Sequence, residues 1–193
     1  MDLFCKKDDF LALDTFYNLS ATATARYKIA EKEDTYAKQF PGSPVRTREP
    51  QFSPGHTSLP IEVAVRYSKS TIEAVAKVRE FLMNECSVKN PEIVNIWFAY
   101  SINETSYGWH CDGAVRNFPL EHCITTGLYI HTKWEPEWGG EFKTKDGRSF
   151  MPLPNRLAVW SRDIIHKVEP IHNPDPAYLR MIMATTWTSE GKC

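Results

Sequence analysis

No apolar run in this sequence approaches the roughly 18 to 20 residues that a membrane-spanning helix needs, so no helical span is expected. The opening MDLFCKKDDF carries acids where a signal peptide would have its apolar stretch, which leads us to expect a cytoplasmic protein with no membrane partner. Charge of one sign is missing too. Lys and Arg number 23 against 24 Asp and Glu, and a net charge of −1 removes the long-range basic field of a general nucleic-acid binder, leaving room only for a local basic groove. Cysteine is sparse and odd in number: Cys5, Cys86, Cys111, Cys123 and Cys193 form no CxxC, so reduced, mostly buried thiols are expected rather than a disulfide or thiolate–metal framework. Repeats and low-complexity tracts are likewise absent.

What is present is an ordinary globular composition, 42% hydrophobic and 24% charged over 193 residues. That length suits one domain, 1–193, whose core can bury roughly 70% of the unfolded chain's surface without help from a metal. A metal in such a chain therefore has a chemical reason. The character of the sequence changes near residue 90. Residues 8–38 are polar and helix-favouring, and residues 41–60 hold five prolines and two glycines in 20 positions, the mark of a long irregular segment of the kind that serves as a lid or binding loop. Ser70-Thr71-Ile72-Glu73 resembles a capping box, and Ile72, Val75, Ala76, Leu82 and Met83 follow at near-helical spacing, predicting an amphipathic helix that ends before Asn90-Pro91. From residue 92 onward, β-branched and aromatic residues come in short runs separated by Gly, Pro, Asn and Asp: IVNIWFAYSI, CITTGLYIH, GEFKT, RLAVW, IIHKV and LRMIMATTW. This is the pattern of a sandwich, jelly roll or barrel. The fold class expected is α+β, mainly β, with 1–90 as helices and a long Pro-rich loop and 91–189 as the β-rich half.

The segment Tyr107-Gly108-Trp109-His110-Cys111-Asp112-Gly113 carries the most chemistry. Residues i and i+2 of a strand share a face, so His110 and Asp112 converge while Cys111 points away. An imidazole beside a carboxylate makes two thirds of the facial triad of non-haem Fe(II) oxygenases, which leaves the opposite face of the metal open. The third ligand would be a distant histidine. Of the remaining five, His166 in Asp163-Ile164-Ile165-His166-Lys167-Val168 fits best, because an imidazole in so apolar a strand needs a buried partner. An isolated HxD is more often a hydrogen-bonded surface pair, and the case rests on its surroundings. Fourteen residues after His166, Arg180 stands in Tyr178-Leu179-Arg180-Met181-Ile182-Met183, too apolar a strand for an unpaired guanidinium. Its partner is either an internal Asp or Glu or the carboxylate of a substrate or cofactor.

Tyr100 ten residues before His110-Cys111-Asp112, then the LYIH strand, the GGEF turn, VWSRDIIHKVEP and the arginine strand together resemble the Fe(II)/2-oxoglutarate-dependent dioxygenases, in their prolyl-hydroxylase-like branch, over roughly residues 93–188. The resemblance implies a double-stranded β-helix (jelly roll, cupin-like) with N-terminal supporting helices. It implies His110, Asp112 and His166 as catalytic iron ligands, Arg180 as the salt-bridge partner of the distal carboxylate of 2-oxoglutarate, Tyr129 as a hydroxyl sharing that carboxylate, and Tyr100 as a wall of the co-substrate pocket. Core packing with a satisfied hydroxyl is the plainer role for either tyrosine. Fe(II), 2-oxoglutarate and O2 are the implied cofactors, with ascorbate in support, and the carboxylate of Asp112 implies hydroxylation rather than halogenation. The departure from the family pattern is a longer His166–Arg180 interval, taken up by residues 171–176 as an extended turn.

The reaction implied is hydroxylation of an unactivated C–H bond, first on a prolyl or other amino-acid side chain in a peptide and second on a free amino acid or small metabolite. Rival readings are a zinc hydrolase on the same ligands, a non-catalytic cupin-like binding module, and a nucleic-acid demethylase. The last would need Arg46, Arg48, Arg66 and Lys69 to form a local basic patch, which is more simply a solvated face. Six tryptophans are expected to serve mainly as core, with Trp109, beside His110, the exception available to substrate.

Overall fold

The computed structural model describes residues 5–11, 19–20, 57–59, 69–101, 106–113, 115, 118–175 and 178–190. Most of the expected helical stretch 8–38 and of the Pro-rich segment 41–60 lies outside them, as do Arg46, Arg48 and Arg66. The elements assigned among the described residues are one α-helix, two single-turn 3-10 helices and ten strands.

The helix, α1 (Lys69–Asn84), appears where the capping-box segment predicts it but buries a different face. Its inward stripe is Ser70, Thr71, Ala74, Val78 and Leu82, whereas Ile72 and Met83 are 44% and 41% exposed. Two small polar residues complete the buried stripe at the helix start, so following the large apolar residues alone sets the face off by one position, about 100° of rotation.

The strands are β1 (Cys5–Lys7), β2 (Thr57–Leu59), β3 (Glu92–Ser101), β4 (Tyr107–His110), β5 (Cys123–Tyr129), β6 (Phe142–Thr144), β7 (Ser149–Phe150), β8 (Leu157–Ser161), β9 (His166–Val168) and β10 (Arg180–Thr188). They make a six-stranded sheet in the order β1-β8-β5-β10-β3-β2 and a four-stranded sheet in the order β4-β9-β6-β7. All pairings are antiparallel. The fold is mainly β and jelly-roll-like, as the run of short β-branched and aromatic segments predicts.

Period-two alternation on the central strand β10 sorts its residues between two environments. Met181, Met183 and Trp187 join Ile96, Phe98, Ile124, Leu128, Leu157 and Val159 under Ala74, Val78 and Leu82 of α1. Arg180, Ile182, Ala184 and Thr186 face the other way, into a cavity between the sheets. A second cluster joins Phe142, Phe150 and Val168 of the small sheet to Tyr129, Ala158, Trp160 and Ile182 of the large one. Gly127 lets the cluster close up: a Cβ on it would lie 2.6 Å from Ile182 Cδ1 and 3.1 Å from the Trp160 ring, so the Ile182 side chain would have to shift. At the end of the cavity nearest Arg180, Trp134, Trp138 and Ile171 form a third cluster beneath the Gly139-Gly140 turn. Both glycines have positive φ, +68° and +70°, and a Cβ on Gly139 would strike the Pro170 carbonyl oxygen. The N-terminal strand is tied down by Asp8, whose carboxylate accepts from Nε (2.5 Å) and Nη2 (3.0 Å) of buried Arg156. The Arg156 guanidinium holds the Asp8 carboxyl below its ordinary pKa.

Candidate metal centre and co-substrate cavity

Strands β4 and β9 pair so that His110 lies opposite His166, with an irregularity between Tyr107 and His110. Asp112 follows two residues beyond the end of β4, and one ligand atom from each of His110, Asp112 and His166 falls within 4.8 Å of the others. The convergence predicted from strand alternation is therefore present, completed by a third group from the neighbouring strand.

Local hydrogen bonds aim these atoms. His110 Nδ1 lies 2.7 Å from Gly108 O and His166 Nδ1 lies 2.9 Å from Ile164 O. A carbonyl can only accept, so each Nδ1 carries the proton and each Nε2 presents a lone pair. Asp112 is oriented with similar economy. Its Oδ2 accepts from Thr125 Oγ1 (2.6 Å) and Trp160 Nε1 (2.9 Å), which leaves Oδ1, 3.7 Å from His166 Nε2, turned toward the imidazoles. His166 stacks on Phe142 at 4.7 Å, and burial pushes its pKa below the ordinary histidine value against the pull of the Asp112 carboxylate. It is thus kept in the neutral form that ligation requires. Two imidazole nitrogens and one carboxylate oxygen on one side of an open space suit a non-haem Fe(II) centre.

The space beside them is a cavity of about 470 Å³. Arg180 lines it, 4% exposed, and its Nε has no hydrogen-bond partner. Arg180 Nη2 donates to the Tyr129 hydroxyl at 3.1 Å, and burial raises the pKa of that phenol, so Tyr129 keeps its own proton to donate. Among the described residues no carboxylate pairs with Arg180. Of the two partners left open by the sequence, the internal acid is thus not found, and the guanidinium faces a cavity able to admit an anion.

Behind Arg180, His131 replaces a missing rung of the sheet. It is 2% exposed, its Nδ1 accepts from Met181 N (3.1 Å), and its Nε2 donates to Pro152 O (2.6 Å). Burial holds its pKa down at about 4, well under the ordinary 6.5. Between those values the unfolded chain binds a proton that the folded one refuses, so stability is full above pH 6.5 and falls as the pH drops toward 4, by about 3 kcal/mol. The burial-depressed His166 adds a loss of the same sign. Chemical denaturation of metal-free protein from pH 7 to 4 should accordingly show a shallower decline for His131→Gln, whose amide offers an acceptor and a donor but does not titrate. Parallel curves would contradict this account of His131.

Several sequence expectations need correction. Trp109 does not reach the cavity: it alternates with His110 onto the outer face of the small sheet, 47% exposed, with Lys167 Nζ 5.0 Å from its ring centre. Trp97 and Trp160 line the cavity instead. Cys111 is exposed and borders the cavity rather than turning away from it, because β4 ends at His110 and strict alternation ends with it. The side chain of Tyr100 lies outside those described, although its backbone pairs with Met181 in the β3–β10 ladder. Lys69 is exposed and pairs with Glu73 across one helical turn. Cys86, Cys111 and Cys123 are free thiols, as expected. Sequence reasoning missed Thr125, Trp160 and Arg162. Only Arg162 left a signal, being a cation two residues after the apolar run Leu157–Trp160.

Residues 96–189 match the 2OG-Fe(II) oxygenase superfamily. No curated protein matches the chain at the level of sequence. Among solved structures, the chain is similar to a prolyl-4-hydroxylase from Pseudomonas putida, with a TM-score of 0.63 and 18% identity over 99% of this chain and 95% of that one. The viral collagen prolyl hydroxylase of Paramecium bursaria Chlorella virus-1, in a 2-oxoglutarate complex, gives 0.61 and 17% over 96% of each chain. A Trichoplax adhaerens prolyl hydroxylase, in complex with a fragment of the hypoxia-inducible factor oxygen degradation domain, gives 0.60 and 17% over 97% of this chain and 83% of that one. At such identities these likenesses establish the shared jelly-roll fold. The segment 96–189, which holds all the cavity-lining residues named above, belongs to the 2OG-Fe(II) oxygenase superfamily, whose enzymes use Fe(II), 2-oxoglutarate and O2.

Proposed function

We propose that this dioxygenase hydroxylates an unactivated C–H bond on a prolyl or other neutral amino-acid side chain within a peptide or protein. In this proposal residues 91–189 are the catalytic core and 1–90 its supporting segment. His110 and His166 through Nε2, and Asp112 through Oδ1, hold Fe(II). Arg180 and Tyr129 bind the distal carboxylate of 2-oxoglutarate, and Tyr100 borders the same end. The observation that carries the reading is the buried Arg180, without a carboxylate partner among the described residues and facing the cavity that the three ligands border. A non-catalytic module would leave that guanidinium with no small diacid to hold, and metal content together with 2-oxoglutarate dependence separates the proposal from a zinc hydrolase on the same ligands.

When bound, Fe(II) and 2-oxoglutarate supply the oxidising chemistry, coupling oxidative decarboxylation of the co-substrate to transfer of one oxygen atom of O2 to the C–H bond. The chain's own residues orient and exclude. Gly108 and Ile164 carbonyls fix the imidazole tautomers, Thr125 and Trp160 hold Asp112 to one free oxygen, and Phe142, Val168 and Ile182 keep the wall apolar.

The far wall supports a neutral side chain on a peptide as the substrate class. Along β10 from Arg180 to Thr186, about 20 Å of strand, the lining passes to Ala184 and Thr186 opposite Trp97 and Asn95. The one cation there among the described residues, Arg162, already donates to carbonyl and hydroxyl oxygens. Among the described residues a free amino acid would find no ionic partner there for its ammonium and carboxylate groups, whereas a neutral side chain carried on a peptide needs none. The named prolyl hydroxylases of like fold favour proline. Free thiols at Cys86, Cys111 and Cys123 suit a reducing, cytoplasmic setting. Succinate formation with Fe(II), ascorbate and 2-oxoglutarate, screened over proline-containing peptides, free amino acids and oligonucleotides, tests the proposal. Stimulation by peptides is expected, and stimulation confined to free amino acids or oligonucleotides would overturn the peptide assignment.

A further inference from the structure

We propose that Arg162 is a positioning residue that, through Thr125, restricts Asp112 to ligation by a single oxygen. The proposal rests on the reading of Asp112 as a metal ligand. Asp112 and Gly113 lie beyond the end of β4, outside either sheet, and Gly113 has a φ of +76°. No strand partner fixes this stretch. Arg162 does so from the end of β8, where its own backbone N–H is held by Cys123 O at 3.0 Å. Arg162 is 9% exposed and its guanidinium meets four neutral oxygens: Nε donates to Gly113 O (2.9 Å), Nη2 to Asp112 O (2.5 Å), and Nη1 to Thr186 Oγ1 (2.9 Å) and Thr125 Oγ1 (3.2 Å).

Arginine donates and never accepts. Because Nη1–H points at Thr125 Oγ1, the threonine hydroxyl accepts there and directs its own proton to Asp112 Oδ2, 2.6 Å away. Trp160 Nε1–H occupies a second site on the same oxygen. The relay Arg162 to Thr125 to Asp112 therefore has one possible direction, and with Oδ2 doubly occupied only Oδ1 is free for a metal. The two backbone contacts meanwhile fix where the Asp112 side chain starts. Without Arg162 both carbonyls lose their donors, the Thr125 hydroxyl is free to rotate, and the carboxylate can turn.

Mn(II) binding to the metal-free full chain, followed by calorimetry well below the melting temperature, tests this with a redox-inert ion. Removing a group that orients a metal ligand typically weakens affinity about 10- to 100-fold. Arg162→Met and Thr125→Val should each fall in that range, and because they act on one relay the double variant should be little weaker than Arg162→Met alone. Arg162→Lys, which keeps the charge but cannot meet four acceptors, should lie between wild type and Arg162→Met, and it carries the test should the methionine variant not fold. A residue that merely stabilised the fold would lower the melting temperature and leave the Mn(II) affinity of the folded protein unchanged. Wild-type affinity in the Arg162 variants, or fully multiplicative losses in the double variant, would overturn the positioning role while leaving the metal site intact. Failure of the wild-type protein itself to bind Mn(II) would overturn the site and this proposal together.

Discussion

His166→Ala should bind no measurable Fe(II) and form no succinate, yet still fold. The imidazole is one of only three protein ligands proposed, and its Nε2 has no protein substitute within the 4.8 Å cluster. The fold does not depend on it in the same way. His166 packs on Phe142 and Trp160, but the main core lies on the far side of the large sheet, against α1. A chain of this length buries enough surface to fold without metal. Circular dichroism and equilibrium dialysis on the same preparation separate the two effects: native spectra with iron lost are expected, whereas full iron retention would remove His166 from the site.

Arg180→Lys should weaken 2-oxoglutarate strongly and Fe(II) hardly at all. A guanidinium can form two parallel charge-assisted hydrogen bonds to a carboxylate, whereas lysine supplies a point charge without the fork. The unpartnered Nε and the Nη2 bond to Tyr129 leave the group ready for that geometry. Losing one such bond in a buried site costs about 1.5–3 kcal/mol, a weakening of roughly tenfold to 150-fold. Tyr129→Phe should act in the same direction but more mildly, since a neutral donor is lost. The control is a 2-oxo acid lacking the distal carboxylate, which should be a poor co-substrate for the wild-type protein and nearly indifferent to Arg180→Lys. Equal weakening of both acids would make Arg180 a structural residue.

The features legible in the sequence were those set by local pattern. Strands β3, β5, β8 and β10 follow from β-branched and aromatic runs, and the approach of His110 to Asp112 follows from strand periodicity even though β4 stops before Asp112. Arg180 could be singled out because a cation in so apolar a strand has to be explained. What could not be read depends on which strands become neighbours. Thr125 and Trp160 act only because β5 and β8 pair beside the HxD segment, with Thr125 opposite Trp160. Arg162 matters only because the Asp112–Gly113 carbonyls come within its reach. Trp109 misled for a simpler reason: adjacency to a ligand in sequence means the opposite face of a strand. In α1, Ser70 and Thr71 supplied burial that a hydrophobic pattern does not register.

Turnover under oxygen-18-labelled dioxygen, with the most stimulating peptide from the screen and mass spectrometry of both products, tests the central claim most directly. The account predicts one labelled oxygen atom in succinate and one in the hydroxylated side chain, with both lost in His166→Ala. Hydroxylated peptide without labelled succinate, or product whose new oxygen comes from water, would contradict it.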